Sequence, residues 1–290
     1  MVTGMQKRKL GDRQVSAVGL GAMHLSTDGR PDESDAISVI HAALDEGLTL
    51  IDTADAYTPR DHAMGHNEEI VAKALKSYGG DTGDVLVATK GGHTRDGVDW
   101  GLNGRPEYLR DAAEASLRRL GGDAIGLYQH HRPDPEVPYA ETMGALRGLL
   151  DVGIIQRAGI SNADTEQIRL AHAILGDGLA SVQNEFSPVF RSSERELELC
   201  DELGIAFLPW SPLGGLRGAK DLGSTTAPFG TVAHKHDVSP QRVCLAWMLA
   251  KSPVVVPIPG ASRTASVQDS AAAVTLQLDH EDLADLDAAI

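Results

Sequence analysis

The chain has 290 residues, and its 26 Lys and Arg against 41 Asp and Glu give a formal net charge of −15 at pH 7. This acidity excludes the positive surface that binding to a nucleic-acid backbone requires. The length suits one barrel of alternating strands and helices, so residues 1–290 are expected to form a single domain.

The amino end and the cysteines indicate a cytoplasmic protein. The basic residues of MQKRKLG have no apolar run behind them, and no stretch approaches the roughly 20 apolar residues of a membrane span. Cys200 and Cys244 lie far apart in apolar helical patterns, which favours buried packing over a disulfide or a zinc site. We expect neither a nucleic-acid nor a membrane partner, and no feature of the sequence indicates an oligomeric state.

The first predicted element is a short N-terminal β-hairpin. RKLG and QVSAV flank Asp12-Arg13, and the hairpin that they form would plug the bottom of a barrel.

Eight short apolar runs follow, each bounded by glycine or polar residues, as expected for the strands of a parallel sheet. They are residues 18–21, 49–52, 85–89, 125–130, 156–160, 181–185, 206–209 and 254–257. Between them, apolar residues recur three and four positions apart, which predicts helices. Eight strand–helix units in one uninterrupted chain predict an α/β fold of the (β/α)8 TIM barrel type, with a doubly wound open sheet as the alternative.

The helix starts and the loops complete this prediction. Asn67 and Asp164 are expected to be N-caps, and the final HEDLADLDAAI predicts a C-terminal helix packed outside the barrel. The longest irregular stretches are residues 58–66, 91–105 and 212–230. Each follows a predicted strand, and loops at the carboxyl ends of barrel strands carry the active site, so these loops are expected to contact substrate.

Four polar side chains stand at or just after the ends of apolar strands: Asp52 in TLID, Tyr57 in DTADAY, Lys90 in VLVATK and His131 in LYQHH. Neighbouring strand ends would bring them to one rim. Reduction of a carbonyl group needs a donor that protonates the oxygen as charge develops. A phenol has a pKa of about 10, and a nearby ammonium would lower it. Asp52 would keep Lys90 charged, and His131 would orient the carbonyl oxygen.

The other histidines do not predict a metal site. His130 and His131 are adjacent in a predicted strand, where successive side chains point to opposite faces, so the pair cannot hold one ion. His234 and His236 lie in a polar segment without a nearby carboxylate cluster and are expected to be solvated. No G-x-S-x-G motif indicates a hydrolase.

Over nearly its full length the chain resembles the aldo-keto reductases. The segments that carry the resemblance occur in family order and are GLGAM, LIDTADAY, ATKGG, LYQHHRPDP, GISN, VQNEFSP, SPLGG and IPGASR. The resemblance implies a catalytic tetrad of Asp52, Tyr57, Lys90 and His131. It also implies a nicotinamide cofactor across the barrel mouth and the reduction of an aldehyde or ketone.

The resemblance further implies where the cofactor lies. The expected contacts are Gly21, Met23, Asp52, Ser161, Asn162, Gln183, Trp210, Ser211, Pro212, Leu213, Gly215, Gly260, Ser262, Arg263 and Gln268. Trp210 would stack on the nicotinamide ring, and the loop from Ser211 to Gly215 would pass over the pyrophosphate. Ser262 and Arg263 would meet the adenosine 2′-phosphate, which favours NADPH, with NADH as the alternative.

Two positions depart from the family pattern. Members commonly have Tyr where this chain has Trp210, and Asn is frequent where it reads Gln268-Asp269-Ser270. The expected substrate pocket consists of His24, Tyr57, Trp100 and His131.

Two other functions fit the same fold. One is a nicotinamide-binding regulatory subunit with little turnover, which an intact tetrad argues against. The other is an isomerase or aldolase in which Lys90 forms a Schiff base, which the companion motifs argue against.

Overall fold

The computed structural model describes residues 4–289, in which the strands form three sheets. In chain order the strands are β1 (Lys7–Leu10), β2 (Arg13–Ser16), β3 (Leu20–Gly21), β4 (Leu50–Asp52), β5 (Leu86–Gly91), β6 (His93–Asp96), β7 (Asp99–Leu102), β8 (Leu127–His130), β9 (Ala158–Ser161), β10 (Leu179–Gln183) and β11 (Ala206–Phe207). Strands β3, β4, β5, β8, β9, β10 and β11 form one parallel sheet in that order, whereas β1–β2 and β6–β7 are antiparallel hairpins.

The parallel sheet closes on itself through residues 254–260. At one edge Phe207 of β11 forms a parallel bridge with Val255, and at the other edge Gly21 of β3 forms one with Gly260. This segment therefore occupies the eighth strand position. The (β/α)8 barrel predicted from the sequence is confirmed, and the open sheet is excluded.

Helices cover the outside of the barrel, and none within residues 4–289 is long and apolar enough to cross a membrane. In chain order they are α1 (Glu33–Asp45), α2 (His66–Ser77), α3 (Pro106–Leu120), α4 (Tyr139–Asp151), α5 (Thr165–Leu175), α6 (Glu194–Leu203), α7 (Gly215–Thr225), α8 (Ala227–His236), α9 (Pro240–Lys251), α10 (Thr264–Ala271) and α11 (His280–Asp287).

Strand alternation explains how an acidic residue reaches the barrel mouth. Leu50 of β4 packs inside the barrel with Leu86 and Leu127, whereas the next residue, Ile51, belongs to the apolar layer between sheet and helices. Because successive strand residues point to opposite faces, Asp52 returns to the interior side, at the carboxyl end of its strand.

The N-terminal hairpin plugs the amino-terminal end of the barrel, as predicted. Leu10 of β1 and Val15 of β2 are fully buried in the same interior cluster as Leu50. The guanidinium of Arg157, which precedes β9, donates to the Asp12 carboxylate in the hairpin turn. Apolar burial and this ion pair together fix the hairpin to the sheet.

The C-terminal helix packs outside the barrel through Leu286, which is fully buried. Asp282 of the same helix accepts hydrogen bonds from Lys235 Nζ and His236 Nε2, each at 2.7 Å. The prediction that His236 is solvated is therefore wrong, because its carboxylate partner comes from a segment 46 residues away. His234 is exposed, as predicted.

Two of the three stretches predicted to be irregular contain regular structure. Residues 91–105 include the β6–β7 hairpin, and residues 212–230 include α7 and the start of α8. The prediction that residues 212–230 are irregular is wrong because it rests on helix propensity. Glycine has a low helix propensity, and α7 contains three glycines. In the structure Gly223 lies directly against Gly230, where a Cβ would stand 2.5 Å from the Gly223 carbonyl oxygen. Glycine thus permits α7 and α8 to pack backbone against backbone.

One of the two predicted N-caps is confirmed. Asp164 caps α5 in a capping box with Gln167, whose amide donates to Asp164 Oδ1 at 2.8 Å. Asn67 does not cap α2, which begins one residue earlier. The buried amide of Asn67 instead donates to Ala22 O at 2.9 Å and Ser26 Oγ at 2.8 Å, and so ties the loop after β3 to α2. The two cysteines are free and buried, as expected.

Candidate active site

A cleft of about 350 Å³ opens at the carboxyl ends of the barrel strands. Most of the residues predicted for the site line it: Gly21, Met23, His24, Asp52, Tyr57, Trp100, His131, Ser161, Asn162, Gln183, Trp210, Ser211, Pro212, Leu213, Gly215, Gly260, Ser262 and Arg263. The parallel sheet explains this convergence, because it brings the carboxyl ends of all its strands to one rim.

Two predicted residues do not line the cleft. Lys90, near the end of β5, is fully buried and lies behind the wall, where its amine meets the Tyr57 hydroxyl. Gln268 is exposed on α10 and lies outside the cleft wall. Ser266 of α10 lines the cleft, and Gln268 is two positions further along the helix, a spacing that does not bring two side chains to the same face.

The Lys90 ammonium joins the predicted catalytic side chains. Its Nζ donates to Asp52 Oδ2 at 2.6 Å, to Thr53 O at 2.9 Å and to Tyr57 OH at 3.2 Å. Tyr57 OH and His131 Nε2 are 3.5 Å apart. The structure therefore brings all four residues together. A buried amine with three hydrogen-bond partners is poorly placed to attack a substrate carbonyl, so the Schiff-base alternative has no support.

Charge pairing keeps Lys90 protonated. Burial lowers the pKa of Lys90, but the Asp52 carboxylate and the Tyr57 oxygen more than offset burial, so the pKa lies above its ordinary value. Asp52 is in turn held by two carboxamides: Gln183 Nε2 donates to its Oδ1 at 2.8 Å and Gln129 Nε2 at 3.2 Å. The expectation that Asp52 stabilises the charged amine agrees with this geometry.

The pKa of the Tyr57 phenol differs from the expectation. Burial raises the pKa of Tyr57, the Lys90 ammonium lowers it, and the net direction is upward. The predicted lowering below the ordinary phenol value is therefore wrong: Lys90 acts in the expected direction, but burial outweighs it. As a consequence, Tyr57 keeps its proton throughout the neutral pH range.

The two adjacent histidines face different surroundings, as predicted. His131 lines the cleft, and burial together with the Lys90 charge lowers its pKa well below the ordinary value, so the ring is neutral. The His130 ring lies 6.0 Å from the ring of Tyr139 in the helical layer, and burial lowers the pKa of His130 to about 4. Within the described residues, no three His, Cys, Asp or Glu side chains are placed to share a metal ion.

Polar groups at the ends of β9 and β10 form one wall of the cleft. Ser161 Oγ donates to Gln183 O at 2.7 Å, and Asn162 Nδ2 donates to Ser161 Oγ and to His131 O, both at 3.0 Å. Asn162 has a φ of 58°, a left-handed conformation that asparagine tolerates better than most residues. The Trp210 indole also lines the cleft, and its buried Nε1 has no hydrogen-bond partner among residues 4–289.

Another part of the wall carries positive charge and two helix starts. Helix α7 begins at Gly215 and α10 at Thr264, and Lys220, Ser262 and Arg263 line the cleft beside them. The first amides of a helix have no intrahelical acceptor, and the helix dipole adds partial positive charge. This part of the cleft is therefore suited to bind phosphate groups.

Some residues of the wall are missing from the sequence-based prediction. His93, Arg132 and Lys220 all line the cleft. His93 follows ATKGG and Arg132 follows His131, so adjacency to a predicted catalytic residue was the available signal. Lys220 lies within α7, and the sequence could not place it because that segment is read as a loop.

Comparison with known sequences points to one family. The family model described as Aldo/keto reductase family matches residues 17–290. An uncharacterized oxidoreductase of Schizosaccharomyces pombe is 35% identical over 284 residues, which cover 96% of this chain and 88% of that protein. A probable aldo-keto reductase of Glycine max is 34% identical over 313 residues, which cover 97% of this chain and 88% of that protein.

Solved structures give the same result for the fold. A thermostable aldo-keto reductase, crystallised with the inhibitor epalrestat, superposes with a TM-score of 0.84 at 28% identity, covering 99% of this chain and 100% of that one. A glycerol dehydrogenase from Gluconobacter oxydans superposes with a TM-score of 0.83 at 27% identity, covering 99% of this chain and 95% of that one. The similarity thus extends over the whole barrel, including the strand ends that form the cleft.

Proposed function

This chain belongs to the aldo/keto reductase family, and we propose that it reduces an aldehyde or ketone with NADPH, using Tyr57 as the proton donor. It is a nicotinamide-dependent oxidoreductase that acts on carbonyl groups of small molecules. The observation that carries the proposal is the contact of the Tyr57 hydroxyl with Lys90 Nζ at 3.2 Å, beside the cleft.

The residues of the cleft fit a nicotinamide dinucleotide. Ser161, Asn162 and Gln183 offer amide and hydroxyl groups for a carboxamide, and the Trp210 indole offers a flat face for a ring. The helix starts with Lys220 and Arg263 suit phosphates. A guanidinium matches the geometry of a phosphate, so Arg263 favours the additional 2′-phosphate of NADPH.

When bound, the dihydronicotinamide supplies the hydride that adds to the carbonyl carbon. Tyr57 then donates its proton to the oxygen, and Lys90 stabilises the phenolate that remains. Asp52 holds Lys90 in place and keeps it charged. Neutral His131 donates a hydrogen bond from Nε2 to the carbonyl oxygen and orients it toward Tyr57.

The Tyr57→Phe variant tests the proton donor. We expect the variant to bind NADPH as the wild type does, because the phenyl ring preserves packing, while the reduction rate falls by about 100-fold or more. The measurement follows the loss of NADPH absorbance with a panel of aldehydes, ketones and quinones. Equal rates in the two proteins would remove Tyr57 from this role.

The Arg263→Ala variant tests the choice between NADPH and NADH. We expect the Kd for NADPH to rise by about tenfold, as for the loss of one charge-assisted contact, while the Kd for NADH changes little. Arg195→Ala is the matched control, because Arg195 is an exposed arginine that does not line the cleft. An unchanged ratio of the two Kd values in Arg263→Ala would refute the 2′-phosphate contact.

A further inference from the structure

Hydrogen bonds alone do not hold the His131 ring in one orientation. Its Nδ1 is buried without a hydrogen-bond partner among residues 4–289, and its Nε2 has only the long contact of 3.5 Å with Tyr57 OH. The χ2 torsion of histidine is broad, so the torsional preference does not fix the ring plane either. Packing against neighbouring groups must therefore set its direction.

Two aromatic rings supply that packing. The centroid of the His93 ring lies 4.4 Å from the centroid of the His131 ring, at an interplanar angle of 80°. The centroid of the Tyr57 ring lies 5.5 Å from that of His131, also at an interplanar angle of 80°. Both are edge-to-face contacts, which are geometrically selective, and the His93 ring is the nearer.

His93 is itself held firmly at the start of β6. Its Nδ1 lies 3.1 Å from Gly101 O, and because a carbonyl oxygen only accepts, this nitrogen carries the proton. The Tyr108 hydroxyl donates to His93 O at 3.1 Å, and His93 pairs with Leu102 across the hairpin. The Trp100 ring also packs against the His93 ring, with ring centroids 5.2 Å apart and an interplanar angle of 81°. The hairpin thus presents a fixed ring to the catalytic histidine.

We infer that His93 is a positioning residue, whose ring holds the His131 imidazole with Nε2 toward the Tyr57 hydroxyl. His93 acts through His131. The kinetic consequence rests on the proposed function, whereas the orientation of the His131 ring does not. The β6–β7 hairpin then orients His131 in addition to forming part of the cleft wall.

Two variants separate the ring of His93 from its hydrogen bond. His93→Phe keeps a flat ring against His131 but loses the donor to Gly101 O. His93→Asn keeps an N–H donor in nearly the same place but removes the ring. Far-UV circular dichroism and thermal unfolding are measured for both variants to check that each one folds.

The first readout is nuclear magnetic resonance of protein labelled with ¹⁵N-histidine, in which the ring nitrogens report tautomer and motion. The His131 signals are assigned by their loss in His131→Gln. We expect one sharp pair of His131 signals in the wild type and in His93→Phe, and broadened or doubled signals in His93→Asn. Unchanged signals in both variants, disturbed signals in both, or disturbance in His93→Phe alone would each overturn the inference.

The second readout is the rate of carbonyl reduction. We expect kcat of His93→Asn to fall by about tenfold or more, because small misplacements of a catalytic group are costly, while the KM for NADPH stays the same. His93→Phe should retain kcat within about threefold of the wild type. If the wild type oxidises no NADPH with any carbonyl compound, the proposed function fails, and the resonance measurement still decides whether His93 orients His131.

Discussion

At the scale of single residues, opposition between burial and charge governs the site. Lys90 is fully buried yet keeps its charge because Asp52 accepts from it at 2.6 Å. Tyr57, beside the same ammonium, keeps its proton because burial outweighs the cation. His131 is neutral for the same two reasons together. The site therefore enters a reduction with a protonated phenol, a charged lysine and a neutral imidazole.

Burial of His130 predicts that stability falls in mild acid. Burial lowers its folded-state pKa to about 4 from an ordinary 6.5, so below pH 6.5 the unfolded chain binds a proton that the folded chain does not. The free energy of unfolding should therefore decrease as pH falls from 7 toward 4, and the share of His130 is about 2 kcal/mol at pH 5. Urea denaturation at pH 7 and pH 5 measures it.

The His130→Phe variant isolates this contribution. Its loss of stability between pH 7 and pH 5 should be smaller than that of the wild type by about 2 kcal/mol. His234→Gln, at an exposed position, is the control and should lose as much as the wild type. An equal pH dependence in His130→Phe and the wild type would show that His130 is not the group responsible.

At the scale of elements, Gly92, the single residue between β5 and β6, lets the β6–β7 hairpin start directly at the rim of the cleft. Gly92 has a φ of 107°, and a Cβ there would lie 2.9 Å from His130 Cδ2. Its carbonyl accepts from the Asn103 amide at 2.9 Å, which closes the base of the hairpin. A chain with a side chain at this position would have to enter the hairpin by another path.

Gly92→Ala should therefore cost more than a change at the hairpin turn. Gly97 also has a positive φ, 57°, but nothing lies within 4 Å of the position of its Cβ. We expect Gly97→Ala to lower the free energy of unfolding by about 1 kcal/mol, from backbone strain alone. Gly92→Ala should lower it by about 3 kcal/mol, since strain and crowding against His130 combine. Equal losses in urea denaturation would contradict this account of the hairpin base.

The same scale shows what the sequence can predict. The barrel and the meeting of Asp52, Tyr57, Lys90 and His131 at one end of it follow from local patterns, because apolar runs define strands and parallel strands bring their carboxyl ends together. The pair of His236 with Asp282 joins segments 46 residues apart, and no local pattern announces it. Helix propensity does not predict α7, because its glycines disfavour a helix locally and are explained only by packing against α8. The pKa of Tyr57 depends on burial, which only the folded structure reveals.

At the scale of the whole molecule, the charge of the cleft opposes the charge of the chain. The formal net charge is −15. The cleft wall nevertheless contains Arg132, Lys220 and Arg263, and the one carboxylate that residues 4–289 contribute to it, Asp52, is paired with Lys90. Local cations in a concave site attract an anionic ligand even where the overall field is negative. This distribution fits a barrel whose mouth binds a phosphate-bearing cofactor.

The most direct test follows the hydride itself. In a single turnover with NADPH that carries deuterium at both C4 positions, the account predicts an alcohol with one deuterium on the former carbonyl carbon. With the cofactor at the same saturating concentration, Tyr57→Phe should form this product more slowly than the wild type, by about 100-fold or more. An alcohol without deuterium, or equal rates in the two proteins, would contradict the account.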